Sequence, residues 1–281
     1  MYFLLTNDIV KMTDKICGEM MNKYELNGNR YCHFFYPELE QFLGEEKMKY
    51  VKNELLNKSE NIFDNYDLKR QEGENDSHIC SMIRNDSVEE FISYVTRSNY
   101  SLSSQITPSI YETNSFILER KDTTLIEYSA FFGSIQIFQY LMMKGVELAA
   151  SLWLYVIHSN SAELIHMLET HHVLQPKFEN KSEIEFNRPN HEYLRCLTES
   201  IKCHHNDFAD YFENNFLFQE EKDPKQKEAI IANCIKYHNY YYLETETIKE
   251  HGFFYLHLYK YNELFNLLLK EKEEGIRMKI I

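Results

Sequence analysis

Along most of the chain, apolar positions at helical spacing come in pairs of short segments. Each pair breaks near a polar residue, and polar connectors join one pair to the next. The clearest pair runs from Thr123 to Leu148, TTLIEYSAFFGSIQIFQYLMMKGVEL. A glycine inside a helix costs about 1 kcal/mol relative to alanine, so Gly133 in the middle and Gly145 near the end mark boundaries. The pattern predicts a helix over Thr124 to Phe132, a turn at Gly133–Ser134, and a second helix over Ile135 to Lys144 that Gly145 stops. Ile126, Ser129 and Ala130 share a face of the first helix. Ile137, Phe138, Tyr140 and Leu141 face them from the second, and the small Ser129 and Ala130 permit close approach.

The same frame recurs more weakly downstream. SLWLYVIHSNSAELIHMLETHHV carries Trp153 and Val156–Ile157 before a turn at Asn160, then Leu164, Ile165, Met167 and Leu168. RCLTESIKCHHNDFADYFENNF carries Leu197 and Ser200–Ile201 before a turn at His204, then Phe208, Ala209, Tyr211 and Phe212. HGFFYLHLYKYNELFNLLLKE carries Phe253 and Leu256 before Lys260, then Leu264, Phe265, Leu267 and Leu268. The turn positions lie 27, 44 and 56 residues apart, and AIIANCIKYHNYYYL inside the longest gap reads as a degenerate pair. SHICSMIRNDSVEEFISYV reads as another, ahead of the clearest one. Upstream, residues 1–66 read as helical: Ile9, Met12, Ile16 and Met20 recur at helical spacing, and Pro37 opens a helix carrying Leu39, Phe42, Leu43, Val51 and Leu55. DLKRQEGEND, residues 67–76, is almost free of apolar side chains and reads as a charged linker or long turn.

The Thr123–Gly145 pair resembles the ankyrin repeat, whose pattern is T-P-L-H-x-A-A-x-x-G-x-x-x-[IV]-V-x-L-L-x-x-x-G. Thr124 takes the Thr place, Ile126 the Leu, Ser129–Ala130 the Ala pair, and Gly133 and Gly145 the two glycines. Leu125 stands where the family has proline and Glu127 where it has histidine. With the weaker frames, residues 75–270 are similar to the large ankyrin-like family of trichomonad parasites. The resemblance implies an all-α fold: an irregular ankyrin-like helical-hairpin solenoid over 77–281, preceded by the N-terminal helical segment. It also implies a protein-binding role through the concave face and finger loops. Matched to the family's contact sites, the partner-binding residues would be Arg120, Lys121, Thr123, Phe131 and Phe132, then Tyr155, His158 and Ser159, then Lys202.

Composition narrows the partner. The formal net charge is −14, the wrong sign for a surface that displaces counterions from nucleic acid or adheres to anionic lipid. Eight glycines and five prolines in 281 residues are too few for a sandwich of many tight turns. No apolar stretch reaches the roughly 18 residues of a membrane span, and MYFLLTNDIVKM lacks the basic flank and apolar length of a signal peptide. Six cysteines without a CxxC pair are expected to be reduced core residues of an intracellular, cytoplasmic protein.

No catalytic motif appears, and no cofactor is expected. Cys196 and Cys203 with the His171–His172 and His204–His205 pairs match no zinc spacing, so buried thiols and turn histidines are expected there rather than a metal site. Phe131 and Phe132 precede the turn glycine: as exposed aromatics they would anchor a partner, and at least one is expected to be packed. The alternative to a binding module is an enzyme with an unrecognised site between the N-terminal helices and the solenoid. The apolar tail Ile276, Met278, Ile280 and Ile281 is expected to fold back on the last hairpin or to mediate weak self-association.

Overall fold

The computed structural model describes residues 13–23, 30–120, 122–173, 189–217, 224–240 and 252–274. Lys121, the segment after Tyr240 and the apolar tail from Ile276 lie outside them. The described residues are helical, joined by turns, with an isolated antiparallel bridge between Gln105 and Thr124. The chain divides into two compact units, Met1–Tyr128 and Ser129–Ile281.

The first unit holds α1 (Asp14–Lys23), α2 (Arg30–Phe34), α3 (Tyr36–Leu39), α4 (Glu45–Lys58), α5 (Tyr66–Glu72), α6 (His78–Arg84), α7 (Val88–Ser98) and α8 (Ser115–Glu119). The single helix expected to follow Pro37 is two. Pro37 sits in the first turn of α3, but Gly44 is extended (ψ 158°), and α4 restarts with Glu45 and Glu46 at the positive end of its dipole. Phe34, Phe35, Leu39, Val51, Leu55 and Tyr111 form its core.

Residues 67–76 are not a linker. They carry α5, whose Arg70 is buried, paired with Glu38 and 3.1 Å from Asp67, its guanidinium 5.3 Å from the Phe34 ring centroid. Gly73 then takes a left-handed turn (φ +69°), and its carbonyl accepts both the N–H and the hydroxyl of Thr113. A Cβ at Gly73 would stand 2.8 Å from the Thr113 hydroxyl oxygen. Asn75, also buried, donates to the Thr107 carbonyl at 2.7 Å and accepts from the Ser77 N–H at 3.0 Å. Charge density in sequence hid these pairings, which offset part of the cost of burying Arg70 and Asn75.

The hairpins share one local device. Asp86 (φ 49°), Gly133 (φ 70°), Asn160 (φ 53°), His204 (φ 60°), His238 (φ 59°) and Lys260 (φ 62°) are all left-handed, each just past the end of a helix. At each, the N–H bonds the carbonyl three residues back: Ile83, Ala130, Ile157, Ile201, Ile235 and His257 respectively. The next residue's N–H reaches five back, from Ser87 to Met82, Ser134 to Ser129, His205 to Ser200, Asn239 to Cys234 and Tyr261 to Leu256. This is the Schellman closure, which satisfies carbonyls a helix end would otherwise orphan. Gly145 ends the second helix of its pair in the same way, with φ 80° and a bond from the Val146 N–H to the Leu141 carbonyl.

The hairpins so formed are α9 (Leu125–Phe132) with α10 (Ile135–Met143), α11 (Leu152–Ser159) with α12 (Ala162–Thr170), and α13 (Pro189–Lys202) with α14 (Asn206–Phe212). A π-helical turn, Glu213–Leu217, extends α14. Then come α15 (Pro224–Lys236) and the pair α16 (Phe253–Leu258) and α17 (Asn262–Glu274). First helices pack in series: α11 on α13, α13 on α15, α15 on α16. Ser129 and Ala130 are buried, as their small size requires for close approach. Trp153, on the mostly buried α11, donates its indole N–H to the Val173 carbonyl at 2.8 Å and meets Phe212 edge-on at 5.6 Å. At the start of α9, Thr124 and Glu127 form a capping box. The Glu127 carboxylate accepts the Thr124 N–H at 2.9 Å, and the Thr124 hydroxyl accepts the Glu127 N–H at 3.4 Å. One departure from the ankyrin pattern, Glu127, thus joins the pattern's own Thr124 in a helix start that needs no histidine.

Two outcomes follow. Gly133→Val places a branched side chain at φ +70° with its Cβ 3.3 Å from that of Ser159, so urea unfolding of the full chain is expected to show a loss of about 2 kcal/mol. Lys260→Gly relieves left-handed strain at an exposed position and is expected to gain about 0.5 kcal/mol, the remainder offset by unfolded-chain entropy. In the first unit, fully buried His33 lies with Nε2 3.2 Å from a Glu54 oxygen. Burial, then the Lys58 charge, hold its pKa below the ordinary histidine value despite Glu54. The unfolded chain takes up that proton near about pH 6.5 and the folded one resists it, so stability falls as the pH drops below that value. The urea midpoint is expected to decline between about pH 7.5 and about pH 5.5, and His33→Gln to flatten that decline.

Candidate functional site

The residues nominated from sequence divide by accessibility. Thr123 (1% exposed) and Tyr155 (2%) are turned into the interior, where no partner reaches them. Thr123 is tied inward beside the Gln105–Thr124 bridge: its carbonyl accepts the Ile106 N–H at 2.8 Å, and its hydroxyl donates to the Arg120 carbonyl. Tyr155 lies mid-helix in α11, where Leu152 to Ile157 are all buried. Arg120 lays its guanidinium 3.4 Å from the Phe116 ring centroid and donates to the Phe116 carbonyl at 3.0 Å. Phe131 is buried and Phe132 half-buried, their rings edge-to-face at 5.0 Å. His158, Ser159 and Lys202 are half-buried.

The structure gathers several of these around the turns. Two positions before Gly133, Asn160, His204 and His238 stand Phe131, His158, Lys202 and Lys236; the same place holds Arg84 before Asp86 and the exposed Leu258 before Lys260. The Phe131 and His158 rings stack at 4.9 Å. His158 Nε2 lies 2.9 Å from Glu199 Oε1, and Lys202 Nζ lies 3.0 Å from the same oxygen. Cys203 Sγ lies 3.6 Å from His158 Nδ1 and 3.7 Å from Nε2. Further along, His204 Nε2 is 2.9 Å from the Tyr237 carbonyl oxygen, and the Asn239 amide donates to the Ile201 carbonyl at 2.9 Å. The Tyr261 hydroxyl donates to the Lys236 carbonyl at 2.9 Å, and the His238 and Tyr261 rings meet at 4.5 Å. Turn touches turn from Gly133 to Tyr261.

The electrostatics centre on Glu199. Burial opposes its ionisation, but the hydrogen bonds from His158 and Lys202 outweigh this and hold its carboxyl below the usual range. Lys202 shows the mirror image: burial lowers its pKa, and Glu199 more than restores it. Burial, then the Glu199 charge, push the Cys203 thiol up to about 12. Cys203 is therefore a protonated thiol at neutral pH, not the low-pKa thiolate of a nucleophilic cysteine. Burial, then His158 and His204, lower the His205 pKa.

The sequence reading nominated His158 and Lys202 as partner-binding positions, passed over Glu199, and expected Cys203 to be a core or turn residue without a metal. Glu199 is 41 residues from His158, and Cys203 is 45. The available signal was the turn frame itself, in which Cys203 and Ser159 hold one place and Glu199 and Tyr155 another. Among the described residues no helix is long and apolar enough to cross a membrane. No family model matches the chain, and no curated protein or solved structure matches it either.

Removing the shared carboxylate is expected to cost more than removing one of its cations. Glu199→Ala should lose about 1–3 kcal/mol by urea unfolding, because His158 and Lys202 both lose their hydrogen-bond partner in a half-buried place. Lys202→Ala should lose under about 1 kcal/mol, its side chain being 29% exposed and its ion pair partly screened by solvent.

Proposed function

We propose that the chain is a protein-binding module, an irregular ankyrin-like stack of helical hairpins that holds a partner along the edge its turns form. The observation that carries this reading is the line of half-buried or exposed cationic and aromatic side chains at matching places: Phe132, His158, Lys202, Lys236 and Tyr237. In a chain of net charge −14, cations collected on one edge suit an acidic partner segment, with an aromatic place for an apolar anchor. The lysines also lie where helix dipoles favour positive charge, with Lys236 exposed and Lys202 half-buried against Glu199. Contacts between successive turns hold these places rigidly, which suits recognition with little reorganisation. Thr123 and Tyr155 drop out of the recognition set, and Phe132, His158, Ser159 and Lys202 remain in it.

Selection of a random displayed-peptide library on the immobilised full chain tests the reading. The captured peptides are expected to be rich in Asp and Glu around an aromatic or aliphatic residue. Joint Lys202→Glu and Lys236→Glu reversal is expected to weaken them by about tenfold or more, and Phe132→Ala by a smaller factor. Peptides without that bias, or binding indifferent to the three changes, would overturn the assignment.

A further inference from the structure

We propose that His158, Glu199 and Cys203 form a binding site for a borderline divalent transition-metal ion of the zinc class. Each offers one ligand atom, and the three atoms lie within 4.8 Å of one another. Glu199 and Cys203 are four residues apart at the end of α13, which puts them on one face, and His158 comes from the neighbouring first helix, α11. In a tetrahedral site, bonds of about 2.0 Å to nitrogen and oxygen and about 2.3 Å to sulfur give ligand–ligand edges of about 3.3 Å and about 3.5 Å. The separations here are 2.9 Å from Nε2 to Oε1 and 3.7 Å from Nε2 to Sγ, so side-chain adjustment alone opens the site.

The donor set fixes the class of ion. Thiolate, imidazole and carboxylate together suit zinc or cobalt, whereas magnesium and calcium take all-oxygen shells. Three protein ligands leave the fourth position to solvent or to a donor from outside. On binding, the Cys203 thiol gives its proton to water and sulfur bonds the metal, and Nε2 coordinates through its lone pair. Lys202 competes for the Glu199 oxygen, but its side chain is 29% exposed and can swing outward with its charge intact. The ion would join two successive first helices at their ends, a role independent of any bound partner.

The test is anaerobic titration of the reduced, chelator-treated full chain with cobalt(II) chloride. Expected are one ion per chain, a near-ultraviolet thiolate-to-cobalt charge-transfer band, and bleaching of that band by zinc. Cys203→Ser should abolish the band. His158→Gln and Glu199→Gln should each weaken binding by about tenfold or more, while Lys202→Met binds cobalt at least as tightly as the parent. His171→Gln with His172→Gln, remote surface changes, should alter nothing. X-ray absorption of the wild-type zinc complex should show one sulfur among lighter ligands, and it decides the matter if a variant fails to fold. A folded wild-type chain without the band, a band that survives Cys203→Ser, or a zinc shell without sulfur would overturn the site.

Discussion

The closure of each first helix by a left-handed residue is the constraint on which the second unit depends. An α-helix leaves its last carbonyls without partners, and a turn back into an antiparallel helix must satisfy them within a few residues. The two bonds made at Gly133, and again at His204, His238 and Lys260, do so while reversing the chain. Because every first helix ends in this way, its final residues arrive in register with those of its neighbours. Phe131 reaches His158, His158 reaches Glu199, His204 reaches the Tyr237 carbonyl, and Tyr261 reaches that of Lys236. The edge is a consequence of helix termination, and whatever chemistry the protein performs there inherits its spacing from a backbone rule.

The first unit solves a different problem. It buries Arg70, Asn75, Glu112 and His33, Arg70 over the Phe34 and Tyr66 rings, and burial of polar groups is costly unless partners are found. Arg70 meets Glu38 and Asp67, and Asn75 bridges Thr107 and Ser77. The Glu112 carboxylate accepts the Asn114 N–H at 2.8 Å, while the Arg30 guanidinium bonds the Glu112 carbonyl. These pairings turn a polar stretch into a packed element.

That contrast explains what could be read in the sequence. The hairpin at Thr123–Gly145 was legible because glycine marks a left-handed turn openly. The turns at Asn160, His204 and Lys260 were placed only by matching them to it, since their residue types carry little signal of their own. The frame located His158 and Lys202 as neighbours. It could not show that Tyr155 points inward or that Glu199 joins His158 and Lys202, because both facts depend on how α11 and α13 pack. The 67–76 stretch misled for the opposite reason: its charges looked solvated, and their partners are distant in sequence. Glu127 departed from the repeat pattern at a single position, and its value as half of a capping box shows only beside Thr124.

The residues in the left-handed places have a consequence for how the second unit comes apart. Apart from glycine, each side chain there adds about 1–2 kcal/mol of backbone strain, so a hairpin closed by His204, His238 or Lys260 is a poor independent folder. Besides the closure bonds of each hairpin, contacts with the neighbouring turn offset that strain: His204 meets the Tyr237 carbonyl and Tyr261 that of Lys236. Packing in series, α11 on α13, α13 on α15 and α15 on α16, couples each of these closures to the next. Amide protons in these turns should therefore exchange through a shared opening event, so that their protection reports the block rather than the hairpin in which each amide sits.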